Sequence, residues 1–337
     1  MSGKVKAAVA GANGYAGMTL VNLLARHPDV ELRQLSSRSF AGKRFEAVFP
    51  LLDLEGEFVP EPDPAGLDVV FSCLPHNVGA AKAGGWLEAG ARVIDMSADF
   101  RLKDASQYPK WYRQEHPAQA LLARTVFGLP ELHERELVGA KLIAVPGCYS
   151  TAAILALAPA VASGLVGSDI VVDAKSGVSG SGRSPSMGVH FSEVNESVGA
   201  YAIEGHRHLP EMTQELSALG RNGIRITFVP HLAPMTRGIL ATCYFDHKGS
   251  LAQLQDAYRE FYAGQPFTRV VPHTPTTKLA SHSNLCLVNV AAQNDKAVVT
   301  AALDNLVKGA SGQGVECFNL AFGFDRKTAL EAPIQWP

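Results

Sequence analysis

The chain has 337 residues, 47% of them hydrophobic and 18% charged, with 30 Lys and Arg against 32 Asp and Glu. That length suggests two domains, each large enough to bury an apolar core without staples. The balanced charge lacks the excess that nucleic-acid or membrane-surface partners need. Five scattered cysteines (Cys73, Cys148, Cys243, Cys286, Cys317) with no C-x-x-C argue against a disulfide framework or a zinc site, so no metal is expected. The first apolar stretch is too short for a secretory or membrane segment, which makes the cytoplasm the expected compartment.

Apart from Lys6, Val5 to Ala10 is a run of small and β-branched residues, the pattern of a strand buried on both faces. It ends in Gly11-Ala12-Asn13-Gly14-Tyr15-Ala16-Gly17, after which Met18 to Arg26 carries leucines at helical spacing and stops before Pro28. Strand-like runs recur at Glu31 to Leu35, Asp68 to Leu74, Arg92 to Met96 and Leu142 to Val145, with a helical stretch through Leu87 and a Pro-rich loop from Pro60 to Pro64. Alternating strands and helices predict a parallel sheet of the Rossmann kind. Beyond the helical run Thr151 to Ala162 the texture changes. Apolar stretches at Ile170 to Ala174, Arg225 to His231, Gly238 to Phe245 and Leu285 to Ala292 follow, with only Leu251 to Tyr262 clearly helical between them. This predicts an α+β domain on a mostly antiparallel sheet, and a tail, helical from Asp304 through Gly312, that returns to the first domain. The expected domains are 1–147 with 304–337, and 148–303.

Three glycines between a buried strand and a helix are the context of a dinucleotide loop, although the spacing is G-x-x-G-x-x-G. Without side chains the backbone can approach a pyrophosphate, whose charge the helix N-terminus meets. A turn with no ligand is the competing reading. At the end of the second strand an NAD site would carry Asp or Glu, and this chain has Ser36-Ser37-Arg38-Ser39, which suits the 2′-phosphate of NADP(H).

Cys148, in Val145-Pro146-Gly147-Cys148-Tyr149-Ser150, falls between a strand end and a helix start, where the helix field favours a thiolate. The other four cysteines sit in apolar runs and read as small core residues. A proton carrier is expected in Gly205-His206-Arg207-His208-Leu209-Pro210-Glu211, where Glu211 follows His208 by three residues and so shares its helical face. The Gly/Ser-rich segment Lys175 to Arg183 reads either as an anion or nicotinamide pocket or as a plain crossover. Arg101, in Ser97-Ala98-Asp99-Phe100-Arg101, stands just beyond a parallel strand's carboxyl end and suits a phosphate.

Together with Pro230-His231-Leu232, Arg237-Gly238-Ile239-Leu240 and Asp304-Asn305-Leu306-Val307-Lys308-Gly309-Ala310, these segments resemble the N-acetyl-γ-glutamyl-phosphate reductases of arginine biosynthesis over essentially the whole chain. Pro-Gly-Cys-Tyr and His-Arg-His-x-Pro-Glu are the specific pieces; Ser150 replaces a proline common in that family. The resemblance implies a glyceraldehyde-phosphate-dehydrogenase-like architecture and a homodimer or homotetramer. It implies a small acyl-phosphate substrate, with inorganic phosphate released and NADP(H) as cofactor. Cys148 would be the nucleophile, with His208 as first choice of acid/base, His206 as second, and Glu211 as the orienting carboxylate. The cofactor set would be Gly11, Asn13, Gly14, Tyr15, Ala16, Gly17, Ser36, Ser37 and Arg38, with Ser176, Gly177, Ser179, Gly180 and Asn305 near the nicotinamide and phosphates. Arg101 would hold the leaving phosphate, with Arg183 and Arg207 as further candidates. The alternatives are an aminoadipyl-phosphate enzyme of lysine biosynthesis, which would keep every reacting group, an aspartate-semialdehyde dehydrogenase, and a non-catalytic NADP-binding redox sensor.

Overall fold

A computed structural model describes residues 3–220 and 223–331 of the chain. These divide into two compact units: the residues up to Pro146 together with Ala310–Glu331, and Gly147–Gly309. Residues 332–337 of the expected tail lie outside the described residues.

In the first unit β1 (Val5–Ala10), α1 (Tyr15–Leu24), β2 (Val30–Ser36), β3 (Val69–Ser72), α2 (Ala80–Glu88) and β4 (Arg92–Asp95) follow in turn. They are succeeded by α3 (Tyr108–Tyr112), α4 (Gln119–Leu122), β5 (Val126–Phe127), α5 (Pro130–Leu137) and β6 (Leu142–Ala144). The strands form one sheet in the order β2-β1-β3-β4-β6-β5, and every pair is parallel. From β1 the order runs to β2 on one side and to β3 on the other, so the loop at Gly11 sits at a topological switch point, where open α/β sheets bind ligands. The helix after that loop starts at Tyr15, three residues before the sequence pattern alone suggests, because Gly14 serves as its N-cap without interrupting the chain.

The second unit opens with α6 (Cys148–Ala162) and continues through β7 (Val166–Gly177), α7 (Phe191–Val194), β8 (Gly199–Ala200), α8 (Leu209–Ala218), β9 (Arg225–Ala233) and β10 (Ile239–His247). After these come α9 (Leu251–Phe261), β11 (Thr268–Val270), α10 (Thr277–Ala280), β12 (Cys286–Gln293) and β13 (Lys296–Leu303). The sheet order is β11-β12-β13-β10-β7-β9-β8, with β7–β9 and β11–β12 parallel and the other pairs antiparallel. The expectation that only Leu251 to Tyr262 is helical here is corrected by α8, whose Pro210 at the start and short apolar stripe (Met212, Leu216) give a weak signal. α6 is apolar all round and buried along nearly its whole length, as a helix at the centre of a domain must be. Pro159 inside it has no N–H to give the carbonyl of Leu155, and the Tyr262 hydroxyl donates to that carbonyl instead at 2.5 Å.

The expected helix at Asp304 to Gly312 is a π-turn, Val307–Ser311, that leads into α11 (Gly312–Phe322). α11 belongs to the first unit, where Ser311 Oγ donates to the Ala16 carbonyl at 2.8 Å and Asn319 Oδ1 meets His27 Nε2 at 2.9 Å. Among the described residues no helix is long and apolar enough to cross a membrane.

Candidate active site

In the first unit the glycine loop and the end of β2 are wired together. The amides of Gly11 and Ala12 donate to the Ser36 carbonyl at 3.2 and 2.9 Å, and Asn13 Nδ2 donates to Ser39 Oγ at 3.2 Å. Gly11 has φ +81°, and a Cβ there would lie 2.6 Å from the Cys73 carbonyl oxygen, so both conformation and space require glycine. A Cβ at Gly17 would lie 2.3 Å from the Gly11 carbonyl oxygen, which lets α1 press against the loop. Gly14 caps α1 with no side chain, leaving the helix's first amides open to an anion. Ser37 and Ser39 hydroxyls stand 3.3 Å apart, and the exposed Arg38 pairs with Glu61 at 3.3 Å. Lys82 joins the same carboxylate at 2.6 Å, and the two cations hold the Glu61 carboxyl below its usual range.

At the carboxyl end of β4, Arg101 is buried. Its Nε donates to the Val145 carbonyl at 2.8 Å and its Nη2 to that of Met96 at 3.1 Å, which ties the ends of β4 and β6 together. Asp99 accepts from the amides of Asn77 and Ala80 at 2.8 and 3.0 Å and so fixes the turn before α2. Asp95 is fully buried and accepts from Ser97 Oγ at 2.7 Å. Burial, and then repulsion from Asp99, raise its carboxyl to about 7, against the opposing pull of Ser97 and Arg101. A carboxyl whose folded-state pKa lies above its unfolded value stabilises the fold below the unfolded pKa, and that stability is lost as pH rises through the folded one. Asp95→Asn, which mimics the neutral acid, is therefore expected to melt several degrees above the parent at pH 8 and level with it at pH 4, measured by thermal denaturation across that range.

In the second unit a cavity of about 230 Å³ is lined by Cys148, Tyr149, Ser176, Gly180, Tyr201, His206, Arg207 and His208 among others. Cys148 is the first residue of α6, with Gly147 as N-cap, so its sulfur stands at the positive end of a buried helix. A Cβ on Gly147 would lie 2.4 Å from Nε2 of His208, so the imidazole rests directly on the residue before the nucleophile candidate. Gly309, in the π-turn, packs against Cys148 itself, where a Cβ on it would lie 2.7 Å from that of Cys148. Burial pushes the Cys73 and Cys243 thiols upward, away from reactivity.

His206 and His208 are both brought to the cavity, with ring centroids 4.6 Å apart and nearly perpendicular. His206 Nδ1 accepts from the His208 amide at 3.1 Å, and its ring sits edge-on to Tyr149, Tyr201 and Phe228. Burial first, and the Arg207 guanidinium second, push the His206 imidazole down to about 4. Glu211 is fully buried, and its Oε2 accepts from the amide of Gly147 at 2.9 Å. Arg207 is exposed and lines the cavity; Arg183 is exposed on the segment after β7.

Ser176 and Gly177 are the last residues of β7, and a 3₁₀ turn, Val178–Ser181, carries Ser179 and Gly180. Asn305 is buried. It donates to Ser179 Oγ at 3.0 Å and accepts from the Gly238 amide at 2.7 Å, which makes it a strut beneath the turn. Sequence reading missed Tyr201, Gly147 and Gly309 as site residues. The two glycines stand inside recognised motifs, whereas nothing around Tyr201 marks it. Tyr149, next to Cys148, also lines the cavity; its hydroxyl donates to the His231 carbonyl at 2.9 Å and accepts from that of Tyr201 at 3.4 Å. No group of three or more His, Cys, Asp or Glu side chains able to hold a metal occurs among the described residues.

Residues 6–140 match the sequence model of a semialdehyde dehydrogenase NAD-binding domain, and residues 148–305 that of a semialdehyde dehydrogenase dimerisation domain. The fold is similar to aspartate semialdehyde dehydrogenase II of Vibrio cholerae (TM-score 0.74, 17% identity, covering 96% of this chain and 99% of that one). It is also similar to aspartate semialdehyde dehydrogenase from Candida albicans, solved with NADP (TM-score 0.69, 19% identity, 94% and 98%). In sequence the chain is 48% identical to N-acetyl-gamma-glutamyl-phosphate reductase of Symbiobacterium thermophilum over 97% of both chains, and 45% identical to that of Dehalococcoides mccartyi over 99% of both. The chain belongs to the N-acetyl-gamma-glutamyl-phosphate reductase family.

Proposed function

We propose that the protein is an NADPH-dependent oxidoreductase that converts N-acetyl-γ-glutamyl phosphate to N-acetylglutamate semialdehyde and inorganic phosphate. The observation that carries this reading is Cys148 at the N-terminus of α6 with the His208 imidazole resting on the preceding glycine. His208 takes the thiol proton, and the thiolate attacks the acyl carbon while the carbon–oxygen bond to phosphate breaks, leaving a thioester on Cys148. Main-chain amides at the start of α6 stabilise the oxygen that becomes negative. When bound, NADPH supplies the hydride that reduces the thioester carbonyl. Cys148 then leaves as thiolate, the aldehyde is released, and His208 returns the proton. Among the arginines Arg207 is assigned the leaving phosphate in preference to Arg101, because it lines the cavity while Arg101 is engaged with main-chain carbonyls.

The first unit's residues fit NADP. Its glycine loop admits close approach, no side chain caps its helix start, and the Ser37 and Ser39 hydroxyls with the exposed Arg38 offer donors suited to a 2′-phosphate, Arg38 exchanging Glu61 for it. The match to a dimerisation domain supports a homo-oligomer, and a homodimer or homotetramer is proposed. Five free cysteines support a reducing, cytoplasmic compartment.

Phosphate-dependent NADP reduction with N-acetylglutamate semialdehyde tests the assignment. The aminoadipate homologue has one more methylene, a difference worth about 1–3 kcal/mol, and a clear preference for it sinks the glutamyl reading. In the same assay Arg38→Ala is expected to raise the KM for NADPH about tenfold or more and to leave that for NADH nearly unchanged. Equal effects on both cofactors remove Arg38 from the phosphate site.

A further inference from the structure

Gly147 is acted on by two side chains from one short stretch. Glu211, in the first turn of α8, holds its amide through Oε2, and His208, the N-cap of α8, lies on its Cα. The amide of an N-cap residue is one of the N–H groups that a helix leaves without an internal acceptor, and no side chain of α6's own N-cap supplies one. Spacing puts Glu211 on the face of His208, and its Oε2 accepts from the amide of the residue before the nucleophile.

We infer that Glu211 is a positioning residue that acts on Cys148 through the main chain: its carboxylate pins the N-cap peptide of α6 beneath the His208 imidazole and so fixes nucleophile and proton carrier in register. The inference rests on the reading of Cys148 and His208 as the reacting pair. A second consequence is electrostatic. A carboxylate at the positive end of α6 competes with the thiolate for the same field and disfavours ionisation of the thiol. The other titratable and charged groups that line the cavity with Cys148 are His206, His208, Arg207, Tyr149 and Tyr201.

Glu211→Gln keeps an oxygen that accepts from Gly147 and removes the charge; Glu211→Ala removes both. In the full-length protein Glu211→Gln is expected to keep kcat within about threefold. Glu211→Ala should lose about 50-fold or more in kcat with KM little changed, as expected when reacting atoms drift by a fraction of an ångström. The pH midpoint for alkylation of Cys148 by iodoacetamide should fall by about one unit in Glu211→Gln. A Glu211→Gln enzyme as inactive as Glu211→Ala, or an unmoved midpoint, overturns the inference. Alkylation needs neither substrate nor cofactor, so it decides the point even if the parent protein reduces no acyl phosphate, and it does so through Glu211→Gln if Glu211→Ala fails to fold.

Discussion

Cys148→Ser is expected to lower turnover by about 10⁴-fold or more while NADPH still binds with the parent's affinity. A serine hydroxyl in the same place is far less acidic than a thiol, and the field at the start of α6, worth about 0.3–2 kcal/mol, cannot make up that difference. The glycine loop and the Ser36 to Arg38 segment lie in the first unit and Cys148 in the second, so the substitution leaves that loop and segment untouched. Steady-state kinetics and a fluorescence titration of NADPH read the two halves of the expectation separately. Unchanged turnover would remove Cys148 from the mechanism, and lost cofactor binding would point to a structural defect. The histidines sort in the same assay. His206, pushed to about 4 by burial and Arg207, is a poor match to proton transfer near neutrality. His208→Asn is therefore expected to cost more kcat than His206→Asn. A dead His206 variant beside an active His208 variant reverses the assignment.

The fold was largely legible because its two units obey different local rules. Strands that are apolar on both faces, such as Val5–Ala10 apart from Lys6, mark a parallel sheet, and the largely apolar, buried α6 marks the centre of the second unit. What escaped was local and small. α8 begins at a histidine N-cap and a proline, with only a few buried apolar residues, so its periodicity is weak. The π-turn at Val307–Ser311 has no helical spacing to detect, yet it delivers Gly309 to Cys148. Cys148, His206, His208 and Arg207 do meet at one cavity, as their motifs suggested. Partners were harder to infer than positions. Spacing gave Glu211 a shared face with His208, but which oxygen meets which donor depends on a peptide 64 residues away. Arg101 shows the same limit, because a guanidinium at a strand end can serve a ligand or the backbone, and here its Nε and Nη2 serve the backbone.

Gly147→Ala tests the geometry more severely than any change to a reacting atom other than Cys148. Gly147 has φ −67° and ψ 151°, values that alanine adopts freely, so its need for glycine is one of space. The added methyl would stand 2.4 Å from Nε2, 2.6 Å from Cε1 and 2.7 Å from Cδ2 of His208, and the ring, being flat and buried, has no flexible end to give way. Either the imidazole swings out or the start of α6 moves, and both separate the proton carrier from the sulfur. Since a misplacement of about 1 Å costs on the order of 10²-fold, kcat is expected to fall by about that much or more, with a loss of thermal stability that stays short of unfolding. Gly188→Ala supplies the control: no atom lies within 4 Å of its Cβ, so activity and melting temperature should match the parent's. Alkylation separates a proton carrier from a ring that merely fills space. If the imidazole is the proton carrier, Gly147→Ala should also slow alkylation of Cys148 near neutral pH. A Gly147→Ala enzyme with parental kcat would mean that the close packing of His208 on the nucleophile's peptide has no part in the reaction.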